Sequence, residues 1–190
     1  MTRKVSLPAI NMNNPHNMWT DIGQTVVYQT QWLDTKLTVF NRTTGALVQN
    51  IDVGEAPAHV MTRVDTDQVH VSINGEDSVV ELSPFGAGID RRIATQFPNE
   101  QPAQPHAHWM SFDGHTMVTP NSNTNDSTRI DIPSGSIVAK TLTGVMREKW
   151  ASFNVERACD VEVARRDRCL DQRLAHASAC TSDGQLQRHD

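Results

Sequence analysis

Cysteine is scarce in this 190-residue chain, and all of it lies towards one end: Cys159, Cys169 and Cys180. Their spacings of 10 and 11 residues fit no zinc knuckle, haem-attachment or thioredoxin pattern. An odd count excludes a fully paired intramolecular set of disulfides, so we read them as free thiols. Aromatic residues make up only 5% of the chain, and the net charge is −5. With no basic stripe interleaved with aromatics, nucleic acid is excluded as a partner. No apolar run approaches the roughly 18 residues that a membrane-spanning helix requires. The opening residues, Met1 to Pro8, carry two cations but no apolar core, so they do not read as a signal peptide. A complete chain with this start is expected in the cytoplasm. No glycine-rich phosphate loop follows a strand, and no Gly-x-Ser-x-Gly elbow is present. Glu55, Glu76, Asp77, Asp126 and Asp131 show no paired-carboxylate spacing. The polar run 121–126 lacks the glycine and terminal glutamate of a calcium loop and reads as a solvated hairpin turn. Whether the chain is an enzyme is left open by these absences.

What is present is a repeat. A Pro/His opening recurs as Pro15-His16, Pro57-Ala58-His59 and Pro105-His106-Ala107-His108. Four short β-prone runs follow each opening, separated by turns at matching phase. The second unit shows the pattern well. Val69-His70-Val71-Ser72-Ile73 alternates apolar and polar residues and predicts a half-buried strand. Asn74-Gly75 then tolerates the positive φ of a tight turn. His16 and His59 are 43 residues apart, and His59 and His106 are 47 apart. A period near 40–50 residues with four strands per unit predicts an all-β fold, a β-propeller of about three four-stranded antiparallel blades. The blades are expected at about 11–54, 55–98 and 99–144. In the first, 47–53 should form the outermost strand and pair with 37–41.

Blades place equivalent residues around one axis, so the opening histidines need not be scattered in space. His16, His59, His106 and His108 are the candidate cofactor-binding and metal-binding residues. Imidazole is the commonest transition-metal ligand and also serves as a haem axial ligand or proton donor. Copper, iron or a haem face could be held by such a ring. The i, i+2 spacing of His106 and His108 points both rings to one side of an extended strand. A structural role is the reading to set first against this: the ring nitrogen bonds the backbone of a neighbouring blade and fixes where the strand begins. Met18, Trp19, Met61, Trp109 and Met110 read as packing between blades. His70 reads as a cross-strand polar partner and His115 as an exposed turn residue. No catalytic residue is identified.

Two segments carry a further likeness. Leu37-Thr38-Val39-Phe40-Asn41-Arg42-Thr43-Thr44-Gly45 and Ile130-Asp131-Ile132-Pro133-Ser134-Gly135 resemble the YVTN-type propeller repeat. With the histidine-rich openings, the chain is most similar to the branch that includes the haem-d domain of cytochrome-type nitrite reductases. The resemblance covers about residues 10–144. It implies a periplasmic or secreted protein, a bound haem or metal, redox or electron-transfer chemistry and a redox partner protein. The alternatives are a non-catalytic propeller scaffold for protein interaction and a non-functional truncated product.

The chain departs from that family in extent. Propellers close with about 4–8 blades. Three blades, with one extra strand at 3–10, predict a fragment truncated at both ends whose partners include the remaining blades. Residues 145–190 differ in composition: they hold all three cysteines, none of the nine prolines, and eight basic against eight acidic residues. They read as an atypical tail, irregular or partly helical. Disorder and translation in a shifted reading frame are both open.

Overall fold

The computed structural model describes residues 14–143, 150–153 and 161–164. The expected strand at 3–10, all three cysteines, His176 and His189 lie outside the described residues.

Three four-stranded antiparallel sheets follow one another along the chain. The first contains β1 (Pro15–Thr20), β2 (Val26–Gln31), β3 (Lys36–Asn41) and β4 (Leu47–Asp52), in that order. The second contains β5 (Pro57–Thr62), β6 (Val69–Ile73), β7 (Ser78–Leu82) and β8 (Ile89–Ala94). The third contains β9 (Trp109–Met110), β10 (Thr116–Asn121), β11 (Asp126–Asp131) and β12 (Ser136–Leu142). The outermost strand of the first blade, β4, pairs with β3 as expected. Apart from two 3-10 turns, Asn74–Glu76 and Pro84–Gly86, no helix occurs among the described residues. None of them forms a helix long and apolar enough to cross a membrane.

Local chemistry explains the repetition. The turn after β3 is closed by Asn41, whose side chain accepts from the backbone N–H of Thr43 and Thr44 at 3.0 and 2.8 Å. In the third blade Asp131 accepts from Ser134 in the same way at 3.0 Å. Both turns end on glycine, at Gly45 with φ 73° and Gly135 with φ 69°, where a Cβ would be strained. Each blade also carries a bulge at the same phase between its third and fourth strands, at Val39/Phe40, Glu81/Leu82 and Arg129/Ile130. A bulge adds local twist and bends the strand.

The core lies between the blades rather than inside any one of them. Tyr28, Leu37 and Val39 of the first blade meet Val60, Val71 and Ile73 of the second in one buried cluster. Val79 and Ile93 of the second meet Met117, Ile130 and Ile132 of the third in another. The half-buried reading of β6 is therefore corrected. All five of its residues are buried, because the middle blade is covered on both faces.

Two strands fall inside the segment read as an irregular or partly helical tail. β13 (Trp150–Phe153) and β14 (Val161–Ala164) form an antiparallel hairpin. β13 lies against β9 and β10, as β5 lies against β1 and β2. It occupies the place where the first strand of a further blade would begin. The rest of 145–190 lies outside the described residues.

Candidate site at the axial histidines

Strand register decides which histidines are equivalent. Pro15 pairs with Gln31, Pro57 with Ile73 and Pro105 with Asn121. His16, Ala58 and His106 therefore share one position, one residue further on. Asn17, His59 and Ala107 share the next. Met18 and Val60 lie opposite Gln29 and Val71, and His108 stands at the same phase of the third blade. The expectation of one equivalent histidine per blade is corrected. The alanine between Pro57 and His59 moves that ring by one residue, and in a strand one residue reverses the face.

The four rings accordingly form two pairs. His16 and His106 approach at their Nε2 atoms to 3.2 Å. Their rings meet edge to face, with centroids 5.1 Å apart. Trp32, at the end of β2, lies against both, with its ring centroid 4.8 Å from that of His16 and 5.4 Å from that of His106. His106 is buried, whereas His16 is exposed. The pair therefore stands at the open end of the inner strands. Below it, His59 and His108 are buried and meet edge to face, centroids 4.9 Å apart.

A repeated set of hydrogen bonds explains the second pair. In the first blade, Asn17 Oδ1 accepts from the backbone N–H of Val60 in the second, at 2.9 Å. In the second blade, His59 Nδ1 faces the backbone N–H of His108 in the third, at 3.5 Å. The hydroxyls repeat too. Thr30 Oγ1 accepts from Asn17 N–H at 3.0 Å and donates to the carbonyl of Ala58 at 2.9 Å. Ser72 Oγ accepts from His59 N–H at 3.0 Å and donates to the carbonyl of His106. His59 is thus the imidazole version of Asn17, a clamp between successive blades. The third blade carries Ala107 and Pro120 at the corresponding positions and can supply neither group.

Burial sets the protonation of this pair. It pushes His59 down to about 4, with His106 and His16 adding to the effect. His108 is held well below the ordinary imidazole range by burial, and then by His59 and His70. Both rings are neutral at neutral pH. Further out on the same face of that sheet, opposite Met61 in the ladder, His70 Nε2 lies 3.0 Å from Glu81 Oε2, which also receives Arg91 at 2.8 Å. Burial would raise the Glu81 carboxyl, but the hydrogen bonds from His70 and Arg91 outweigh it and hold it near 2. His70 is therefore a cross-strand partner, since it lies opposite Glu81 in the ladder. His115 is exposed.

Among the described residues, no three His, Cys, Asp or Glu side chains are grouped to hold one metal ion. What the site offers is a pair. Two nitrogens bound to one ion at 2.0–2.1 Å and roughly right-angled or tetrahedral geometry stand about 2.9–3.4 Å apart. The His16–His106 separation falls inside that interval. A haem does not fit between these rings, which already touch. Sequence reading missed Trp32, Thr30 and Ser72. The hydroxyls left a signal, since each stands one residue before the end of its second strand. Trp32 left none, because it has no counterpart in the other blades.

No family model matches the chain, and no curated protein matches it. Solved structures do. A streptogramin B lyase superposes with a TM-score of 0.62 at 14% identity, over 76% of this chain and 46% of that one. A catalytically inactive virginiamycin B lyase from Staphylococcus aureus, solved with quinupristin, superposes with a TM-score of 0.57 at 16% identity. That match covers 70% of this chain and 42% of the lyase. The chain spans less than half the length of either structure. At such identities the likeness shows the fold alone, and the fold is a partial β-propeller of three four-stranded blades.

Proposed function

We propose that this chain forms one arc of a propeller that binds a transition-metal ion at its axial end, through Nε2 of His16 and of His106. The observation that carries the reading is their 3.2 Å separation at an exposed strand end. Two imidazoles are fewer protein ligands than a structural metal site uses, so positions stay open for water, for a substrate or for donors from a further arc. Imidazole donors suit copper, zinc, iron and nickel. Copper would supply the one-electron chemistry that the sequence resemblance implies. An extracytoplasmic setting and a redox partner protein belong to the same proposal.

Proton transfer is a second reading, favoured by the same contact taken as a hydrogen bond between two imidazoles. It is in keeping with the virginiamycin B lyase structure, an inactive form of that enzyme in which one histidine is changed to alanine.

Copper(II) titration of the full 190-residue chain at pH 7.5, followed by electron paramagnetic resonance, tests the first reading. One ion per chain with nitrogen couplings is expected, weakened at least tenfold in His16→Ala. The exposed position of His16 keeps that variant folded. Binding unchanged in the variant, or no binding above the level of free surface imidazoles, overturns metal ligation and leaves proton transfer.

A further inference from the structure

The opposite end of the inner strands carries a second repeated feature. Thr20, Thr62 and Met110 lie opposite Val27, Val69 and Met117, so they are equivalent. Two residues further on, at the tips of the hairpin turns, stand Ile22, Val64 and Phe112. They are 52, 63 and 83% exposed. Turn tips are ordinarily polar, yet all three blades place a large apolar side chain in water at one position. Such clustering marks an interaction surface rather than random exposure.

Beneath these tips is a cleft of about 170 Å³. Trp19, Met61, Trp109 and Met110 line it, and Val64 and Phe112 form its rim. An apolar cavity of about 150 Å³ accommodates benzene. This cleft is therefore sized for one aromatic or large aliphatic side chain. The tips are held in place from blade to blade. Asp67 Oδ1 accepts from the backbone N–H of Ile22 at 2.7 Å. Gly114, with φ +70°, lies against Arg63, and a Cβ there would come within 3.1 Å of Nε.

The rim is acidic. Asp65, Asp67 and Asp113 stand on the turns of the second and third blades against Arg63 and His115, whereas Asp21 of the first blade is buried and accepts hydrogen bonds from Thr25 and Val26. Arg63 is already paired with Asp65, at 3.0 and 2.8 Å. Hydrogen bonds from Ser111 and from the His115 backbone hold Asp113 below the usual carboxylate range, so it stays charged at neutral pH.

We propose that this end of the axis docks a segment of a partner protein, seating one aromatic or large aliphatic side chain in the cleft between Met61 and Trp109. Lysine or arginine on either side of that anchor faces Asp65, Asp67 and Asp113. Buried aromatic anchors carry most of the energy in such contacts, and complementary charge at the rim sets specificity and rate. The surface is independent of the histidine site, which lies at the other end of the same strands.

Three capped pentapeptides test this on the full chain by calorimetry at low salt: Lys-Lys-Phe-Lys-Lys, Lys-Lys-Ala-Lys-Lys and Glu-Glu-Phe-Glu-Glu. The first is expected to bind at least tenfold tighter than the other two. Phe112→Ala and Val64→Ser should each weaken it several-fold with unchanged circular dichroism, because both side chains are exposed. Equal binding of the alanine peptide reduces the effect to charge alone and overturns the proposal. Equal binding of the glutamate peptide, or indifference to both substitutions, overturns it as well, as does no binding at all. Free indole binding as tightly as the first peptide makes the cleft a small-molecule site, and the docking reading falls.

Discussion

Acidification should loosen the seam between the second and third blades, and His59 is the residue to watch. Its folded pKa is about 4, against an ordinary value of 6.5. Because the unfolded chain takes up the proton more readily, stability is intact above pH 6.5 and falls as pH drops towards 4. The loss ends once the folded protein is also protonated. At 1.36 kcal/mol per pH unit, His59 alone accounts for about 2 kcal/mol at pH 5 and about 3 kcal/mol in full. That is a large part of the 5–15 kcal/mol typical of a whole domain. His108 pulls in the same direction. The groups around the ring, His16, His106, His108 and His70, bring no carboxylate that would reward a proton on His59; Glu81 is held by His70 and Arg91. The assay is urea unfolding of the full chain at pH 7.5, 6.0, 5.0 and 4.5. The informative variant is His59→Asn, which installs the group that the first blade uses at Asn17. It should be close to the parent at pH 7.5 and lose clearly less stability down to pH 4.5. Unfolding midpoints that do not move between pH 6.5 and 4.5, or a variant with the parent's acid sensitivity, would refute the reasoning.

Two further outcomes are expected. Ser72→Ala removes a hydroxyl that serves His59 N–H and the His106 carbonyl in a buried seam. It should lower unfolding stability by about 1–3 kcal/mol, the cost of leaving such a group unsatisfied. Glu81→Gln leaves His70 and Arg91 without their carboxylate in the same interior. A loss of about 3–5 kcal/mol is expected. Because Glu81 is held near 2 from an ordinary 4.5, its contribution is present above pH 4.5 and fades below it. The variant should therefore show a flatter stability profile between pH 4.5 and 3 than the parent. A parent-like profile there would count against the ion pair.

The blades were legible in the sequence because their determinants are local. Asn41 with Gly45, and Asp131 with Gly135, specify their turns within five residues, and alternation such as that of 69–73 specifies a strand. The burial of β6 on both faces was not legible, since it depends on what the neighbouring blades cover. β13 and β14 were missed for a related reason: the spacing between them is longer than in the other blades, and no Asn-Gly or Asp-Gly turn marks the hairpin. The histidines could be singled out as a set, but not sorted. Register, a property of paired strands, joins His16 to His106 and moves His59 into the clamp held by Asn17 in the first blade. Trp32 comes to the pair from a turn 16 residues after His16, with no repeat to announce it. Where strands and turns fall follows from the residues alone, because φ preferences and side-chain alternation act over a few residues. Which imidazoles meet and which lose their protons depends on the packed blades, because contact across blades and withdrawal from water exist only once the sheets have packed.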